Sequence, residues 1–315
     1  MTTDASEVLP LCDPHFHLWD LPNRPNPNLG NDSTYLASDY RRDMDLLPAP
    51  LQRVSGLHVE TVVGQMPGGA VVDSVDETRW VCQQLAPWDQ PFGIVAYVHL
   101  SRDESLIEQD LAQHREVSEG RLRGVRMILN HHPDQPELTW PQVEHGAFFG
   151  QAPFRRSLAI LAENDLAFDL SCHPHQVADA VDALRTAPDL RVAINHLGFL
   201  HDGEDKAHED LWRQSLHALA SLPRTYMKLS MLWFGCDGYH NDPAKTSFMR
   251  DRVRETIDIF GIERCMFASN YPVDRFRQID IPTLYGQFLD WSAEYTRDEQ
   301  MALFHDTALR AYGAL

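Results

Sequence analysis

The fold turns on the opening stretch Leu9-Pro10-Leu11-Cys12-Asp13-Pro14-His15-Phe16-His17. An apolar run of strand length, Leu9 to Asp13, passes directly into a segment that carries two histidines. A doubly wound dinucleotide-binding sheet would follow its first strand with G-x-G-x-x-G, and a nucleotide hydrolase would show a Walker loop. Neither occurs in the chain. Seven further strand-sized runs follow: Val54 to Glu60, Gly93 to Val98, Gly124 to Leu129, Ala167 to Ser171, Arg191 to Ile194, Thr225 to Leu229 and Cys265 to Ala268. They are rich in Val, Ile, Leu and Phe without clean alternation, as strands buried on both faces of a parallel sheet are. Amphipathic stretches of helical length separate them, clearest at Val71–Gln84, Glu104–Ser118, Ala152–Glu163, His175–Arg185, Asp210–Leu222 and Thr246–Phe260. Eight strands alternating with helices predict a (β/α)8 TIM barrel.

The 315 residues are then one domain, since the eight strands use the whole of 1–315 and no linker or repeat interrupts them. Two long polar insertions, Pro14 to Pro50 and Asn130 to Gly150, follow strands one and four and read as lids over the barrel mouth. A formal charge of −19 from 27 basic and 46 acidic residues argues against nucleic acid or an anionic membrane face as partner. It leaves room for a small anionic substrate held by a local pocket of cations. A homo-oligomer is compatible with the same composition. Five scattered cysteines without a C-x-x-C pair suit a reduced compartment. No apolar stretch reaches the roughly 20 residues of a membrane helix. Met1 to Pro10 lacks a basic n-region, so a cytoplasmic location is expected.

Residues two apart in a strand face one side, so His15 and His17 both project into the mouth of the barrel. Two converging imidazoles can hold a divalent cation with positions left for water and substrate, or can cap the barrel as polar side chains. Other strand ends repeat the chemistry: His173 and His175 after Ser171, His196 after Asn195, and Glu60 after Val59. Arg126 in Gly124-Val125-Arg126 offers a fork suited to a carboxylate, or an ion pair in the wall. Lys228 is similar. Trp19, Trp140, Trp233 and Tyr239 are candidate aromatic walls; His175, Trp19 and Glu60 join Arg126 and Lys228 as substrate contacts.

Asp13-Pro14-His15-Phe16-His17-Leu18-Trp19-Asp20, Gly124-Val125-Arg126, Phe168-Asp169-Leu170 running to Pro174-His175-Gln176, Asn195-His196-Leu197-Gly198, Lys228-Leu229-Ser230 and Met266 to Asp274 appear in this order. With these segments the chain resembles the amidohydrolase superfamily, in the branch of TIM-barrel hydrolases that includes dicarboxylate and sugar lactonases. The resemblance implies catalytic positions at His15, His17, His173 and His196. It also implies a divalent ion, zinc or manganese, on His15, His17 and His196, or a metal-free mechanism of the dicarboxylate lactonase type. Family members commonly end strand eight with an aspartate that takes the proton of the attacking water. Here Asn270 stands there, and an amide has no proton-accepting form near neutral pH. Three readings stand open: Asp274 replaces it, a histidine or Glu60 does, or the chemistry is not ordinary hydrolysis. The function implied is opening of a lactone or related cyclic ester of a carboxylate-bearing or sugar acid. The alternatives are metal-dependent nonoxidative decarboxylation of an aromatic or unsaturated acid, and a binding protein that has lost its base.

Overall fold

The computed structural model describes residues 8–26, 29, 33–61, 64–65, 71–201 and 205–315. Residues 1–7 of the segment Met1 to Pro10, and Pro27 and Asn28 of the Pro- and Asn-rich insertion, lie outside these. Eight parallel strands follow one another in chain order: β1 Leu9–Phe16, β2 Leu51–Val59, β3 Phe92–Tyr97, β4 Leu122–Ile128, β5 Ala167–Ser171, β6 Val192–Ile194, β7 Thr225–Leu229 and β8 Cys265–Phe267. The ring closes where Phe16 bridges Tyr271, His17 N–H donates to the Tyr271 carbonyl at 2.7 Å, and Asn270 N–H donates to that of His15 at 2.8 Å. This is the expected (β/α)8 barrel. No helix among the described residues is long and apolar enough to cross a membrane.

Two apolar layers follow from strands buried on both faces. The larger lies between strands and helices and gathers residues such as Leu11, Val125, Phe168, Leu216 and Phe288. The smaller fills the lumen, where Cys12, Leu57, Val59, Val95, Ala167, Ala193 and Met266 meet Ala308, Ala311 and Tyr312 of the C-terminal helix Thr307–Tyr312. That helix covers the N-terminal end of the strands. Arg123, at the start of β4, donates to the Ala314 carbonyl at 2.8 Å, and a Cβ on Gly93 at the start of β3 would lie 2.8 Å from Leu315 Cδ2.

The described part of the long insertion after β1 contains regular structure. It carries the helix Ala37–Met44 and a ribbon pairing Trp19–Asp20 with Thr34–Tyr35. The helix buries Tyr40, whose ring stacks on Phe16 at 4.1 Å between centroids and whose hydroxyl donates to Asp13 Oδ2 at 2.6 Å. Asp13 also accepts from Ser269 Oγ at 2.6 Å and Ser269 N–H at 2.9 Å, at the end of β8. One fully buried carboxylate therefore ties the first strand to the last and to the insertion. Burial raises its pKa, and the hydrogen bonds from Ser269 and Tyr40 oppose that rise.

Removing this carboxylate leaves the Ser269 and Tyr40 donors without an acceptor, each orphaned donor costing about 1–3 kcal/mol. Asp13→Ala is expected to lose at least about 3 kcal/mol in urea unfolding, and Tyr40→Phe less. An unchanged midpoint for Asp13→Ala would show that the seam is held by other contacts.

Candidate active site

Arg126, Asp169 and Ala193 are register partners on β4, β5 and β6, so their side chains share the inward face of the barrel. Lys228 on β7 points to the same interior. These side chains are almost wholly withdrawn from solvent: Lys228, Asp169 and His15 are fully buried, and Arg126 is 3% exposed. A lone charge at such depth costs several kcal/mol, so each cation has brought an anion. Lys228 Nζ donates to Asp169 Oδ2 at 2.6 Å. Arg126 Nε donates to Glu60 Oε1 at 2.6 Å, and its NH2 group to the Glu60 carbonyl. Both cations expected to hold a substrate anion are therefore paired with protein carboxylates.

The histidines are wired onto these pairs. Lys228 Nζ lies 3.2 Å from His15 Nδ1, His15 Nε2 lies 3.2 Å from His17 Nε2, and His17 Nδ1 lies 2.8 Å from the Val59 carbonyl. A carbonyl only accepts, so His17 carries its proton on Nδ1 and its lone pair on Nε2. An ammonium only donates, so His15 keeps its lone pair on Nδ1 and its proton on Nε2. Every contact in the series then has one donor and one acceptor. Arg126 NH1 lies 3.4 Å from His15 Nε2, so with this tautomer two donors face each other there. His196 joins with its ring centroid 4.7 Å from that of His15, and its Nδ1 lies 3.0 Å from Ser230 Oγ. Burial holds all three imidazoles well below the usual histidine range, and the neighbouring cations push the same way. They are neutral at pH 7.

The last strands end in left-handed backbone. His196, Leu197, Gly198 and Phe199 have φ of 55°, 51°, 63° and 57°, and Met231 and Asn270 have 52° and 55°. For non-glycine residues this conformation costs roughly 1–2 kcal/mol each. Trp212 Nε1–H, donating to the Leu197 carbonyl at 2.7 Å, helps hold the first turn and so fixes His196. Asparagine enters this region more readily than most residues. Asn270 Nδ2 donates to Asp274 Oδ2 at 2.7 Å, and Trp233 Nε1 to the same oxygen at 3.3 Å. Among the described residues, Asp274 Oδ1 is buried and meets no hydrogen-bond partner. Burial raises the Asp274 carboxyl to about 7, against the opposing pull of the Asn270 and Trp233 donors.

His173 and His175 belong elsewhere. Phe199 stands edge-on to both His173 and His196, 5.9 and 5.4 Å from their centroids. On its far side His173 lines a cavity of about 230 Å³ with His132, His175, His201 and His208. His173 Nε2 meets the Leu138 carbonyl at 2.8 Å, and burial lowers its pKa to about 4. His175 is exposed and lies 3.0 Å from the His131 carbonyl. Trp19 packs against Phe276 at 5.7 Å and lines a separate cavity with Trp80 and Glu77. Sequence reasoning missed Asp169, Ser230 and the Val59 carbonyl. Asp169 left a signal, a charge inside a run otherwise apolar, which requires a buried partner.

The family resemblance implied either a divalent ion on His15, His17 and His196 or a metal-free mechanism. The Nε2 atoms of His15 and His17 are spaced as two ligands of one ion could be. Among the described residues, however, no three His, Cys, Asp or Glu side chains are placed to hold one. The His15 Nε2 lone pair is given up to a proton while Lys228 faces Nδ1, and the nearby carboxylates serve Arg126 and Lys228. This donor set does not fit a divalent ion.

Known proteins place the chain consistently. It is 30% identical to an uncharacterized protein of Sinorhizobium fredii, the match covering 96% of this chain and 98% of that one. It is 25% identical to an L-fucono-1,5-lactonase of Burkholderia ambifaria, over 96% of this chain and 92% of that one. An amidohydrolase structure from Burkholderia multivorans with bound zinc superposes with TM-score 0.77 at 22% identity, covering 97% and 99% of the two chains. The 2,6-dihydroxybenzoate decarboxylase of Rhizobium shares the fold at TM-score 0.58 and 9% identity, covering 97% and 98%. The family model described as amidohydrolase matches residues 12–314, and the chain belongs to that family.

Proposed function

We propose that this member of the amidohydrolase family opens a lactone by water attack, with the carbonyl polarised by hydrogen bonds. The observation that carries the reading is the approach of Arg126 NH1 to 3.4 Å from His15 Nε2 among buried side chains, where the tautomer assigned above gives both atoms an N–H. Donors so placed can share the oxygen of a tetrahedral intermediate, and they are worth most where a charge develops away from water. The lactonase relatives support the same chemistry.

In this scheme the lactone carbonyl oxygen takes hydrogen bonds from Arg126 and His15, the latter giving up its contact with His17. Asp274 Oδ1 accepts a proton from water as the water oxygen bonds to the carbonyl carbon. The oxyanion then collapses, the ring C–O bond breaks, and the ring oxygen leaves as a hydroxyl with the proton returned by Asp274. The product is the open hydroxy acid. Asn270 cannot take the proton, but its amide fixes the other Asp274 oxygen and leaves Oδ1 for water.

The pairing also narrows the substrate. Arg126 with Glu60 and Lys228 with Asp169 sum to no net charge, and the whole chain carries −19. A neutral sugar lactone suits this lumen better than a dicarboxylate. The decarboxylase alternative rests on the shared barrel alone and would need a metal to chelate substrate, for which the donor set is poor.

Assayed against a panel of neutral aldonolactones and pyrone dicarboxylates, the protein is expected to open the former faster. Neither class being opened would sink the reading, and CO2 release from an aromatic acid would favour the alternative. Asp274→Asn is expected to lose at least about 100-fold in kcat with KM little changed. The base must be ionised to act, so activity should rise with pH through about 7 and be lost below it. A profile flat from pH 5 to 9 would remove Asp274 from the role.

Exhaustive chelation and dialysis are expected to leave kcat unchanged, with metal content followed by elemental analysis. Activity that disappears with the metal and returns with zinc would overturn the metal-free scheme.

A further inference from the structure

Asp169 has two oxygens and two donors, one from each end of the molecule. Oδ2 takes the Lys228 ammonium at 2.6 Å, and Oδ1 takes the hydroxyl of Tyr312, in the helix that plugs the opposite end of the barrel. The Tyr312 ring also lies under Lys228, its centroid 5.1 Å from Nζ. Tyr312, Asp169 and Lys228 are all buried, so water cannot substitute for any of these contacts. Beside a carboxylate the phenol stays protonated and can only donate.

We infer that Tyr312 is a positioning residue for the site: through Asp169 and Lys228 it fixes the ring tautomer and orientation of His15. The inference rests on the hydrolytic reading for its kinetic consequence, though not for its structural one. With both carboxylate oxygens engaged, Asp169 cannot rotate, and Lys228 is left to present one N–H to His15 Nδ1. That contact keeps the proton on His15 Nε2, where the substrate oxygen is to be met. Without the hydroxyl, Asp169 is free to turn both oxygens toward Lys228 and draw Nζ off His15. His15 then loses the donor that favours this tautomer, while Arg126 NH1 beside Nε2 favours the other. The C-terminal helix is held in turn by Arg123 on the Ala314 carbonyl and by Leu315 against Gly93, so the barrel floor sets the geometry of its mouth.

Tyr312→Phe keeps the ring and its face toward Lys228 and removes the hydroxyl alone. Two measurements are made on it. Long-range ¹H–¹⁵N spectra of histidine-labelled protein, with His15 assigned from a His15→Gln variant, report the tautomer without any substrate. Wild type should show one form protonated on Nε2, and Tyr312→Phe a mixture. Steady-state lactone hydrolysis should show kcat down about tenfold, since one lost hydrogen bond is worth about that much, with KM within about twofold. Thermal unfolding checks that the variant is folded. An unchanged His15 spectrum overturns the inference whatever the kinetics show, and so does an unchanged kcat in an enzyme that opens lactones. A wild type inactive on every lactone, with a His15 spectrum that still responds to Tyr312→Phe, removes the hydrolytic reading and leaves the positioning role supported.

Discussion

Two cations inside a barrel lumen are the constraint from which the rest of the site follows. Arg126 and Lys228 are sealed from water, and neither could remain charged without a carboxylate of its own. Glu60 and Asp169 supply these, and each takes a geometry that leaves part of its cation over. Arg126 spends Nε and NH2 on Glu60 and keeps NH1 toward His15. Lys228 spends one hydrogen on Asp169 and directs another at His15 Nδ1. The imidazoles beside them cannot also become cationic, which is why burial and like charge act together to keep His15, His17 and His196 neutral. Neutral rings with assigned donors and acceptors follow from the ion pairs.

The exchange of an expected aspartate for Asn270 reads differently once Asp274 is in view. Asn270 adopts a left-handed backbone that asparagine tolerates, and its amide donates to Asp274 Oδ2. A carboxylate at position 270 would face a second buried carboxylate across 2.7 Å, and both could not ionise near neutral pH. The pair works as one acid and one donor. In the proposed scheme the base is Asp274, four residues further along the chain, and the Asn270 amide steadies it.

The strands were legible because each carries an apolar run closed by turn residues; β5 and β7 match the sequence reading residue for residue. β1 runs three residues beyond Asp13 because Pro14 lies at an irregularity in the pairing with β2 and does not end the strand. The helix Ala37–Met44 was hidden by its own polarity, since Asp39, Arg41, Arg42 and Asp43 mask the buried Ala37, Tyr40 and Met44. His173 and His196 look alike in sequence, each just past a strand. Their fates differ because the left-handed turn aims His196 at His15, while Gln176 accepts from His173 N–H at 2.9 Å and bends the chain away. Tyr312 left no local signal, for its partner is 143 residues distant.

The charge balance of the lumen bears on the catalysis proposed for it. Ion pairs that already sum to zero give little to a ligand that arrives charged, so a standing anion gains less here than beside an unpaired arginine. In the proposed scheme a carbonyl that becomes an oxyanion only during reaction meets an Arg126 donor already in place and a His15 donor that has only to leave His17. Stabilisation of this kind appears in the transition state and not in the bound substrate, which is the form of binding that raises kcat. The strained strand ends, the carboxylate seam at Asp13 and the buried ion pairs are costs borne by the fold that fix those donors before substrate arrives.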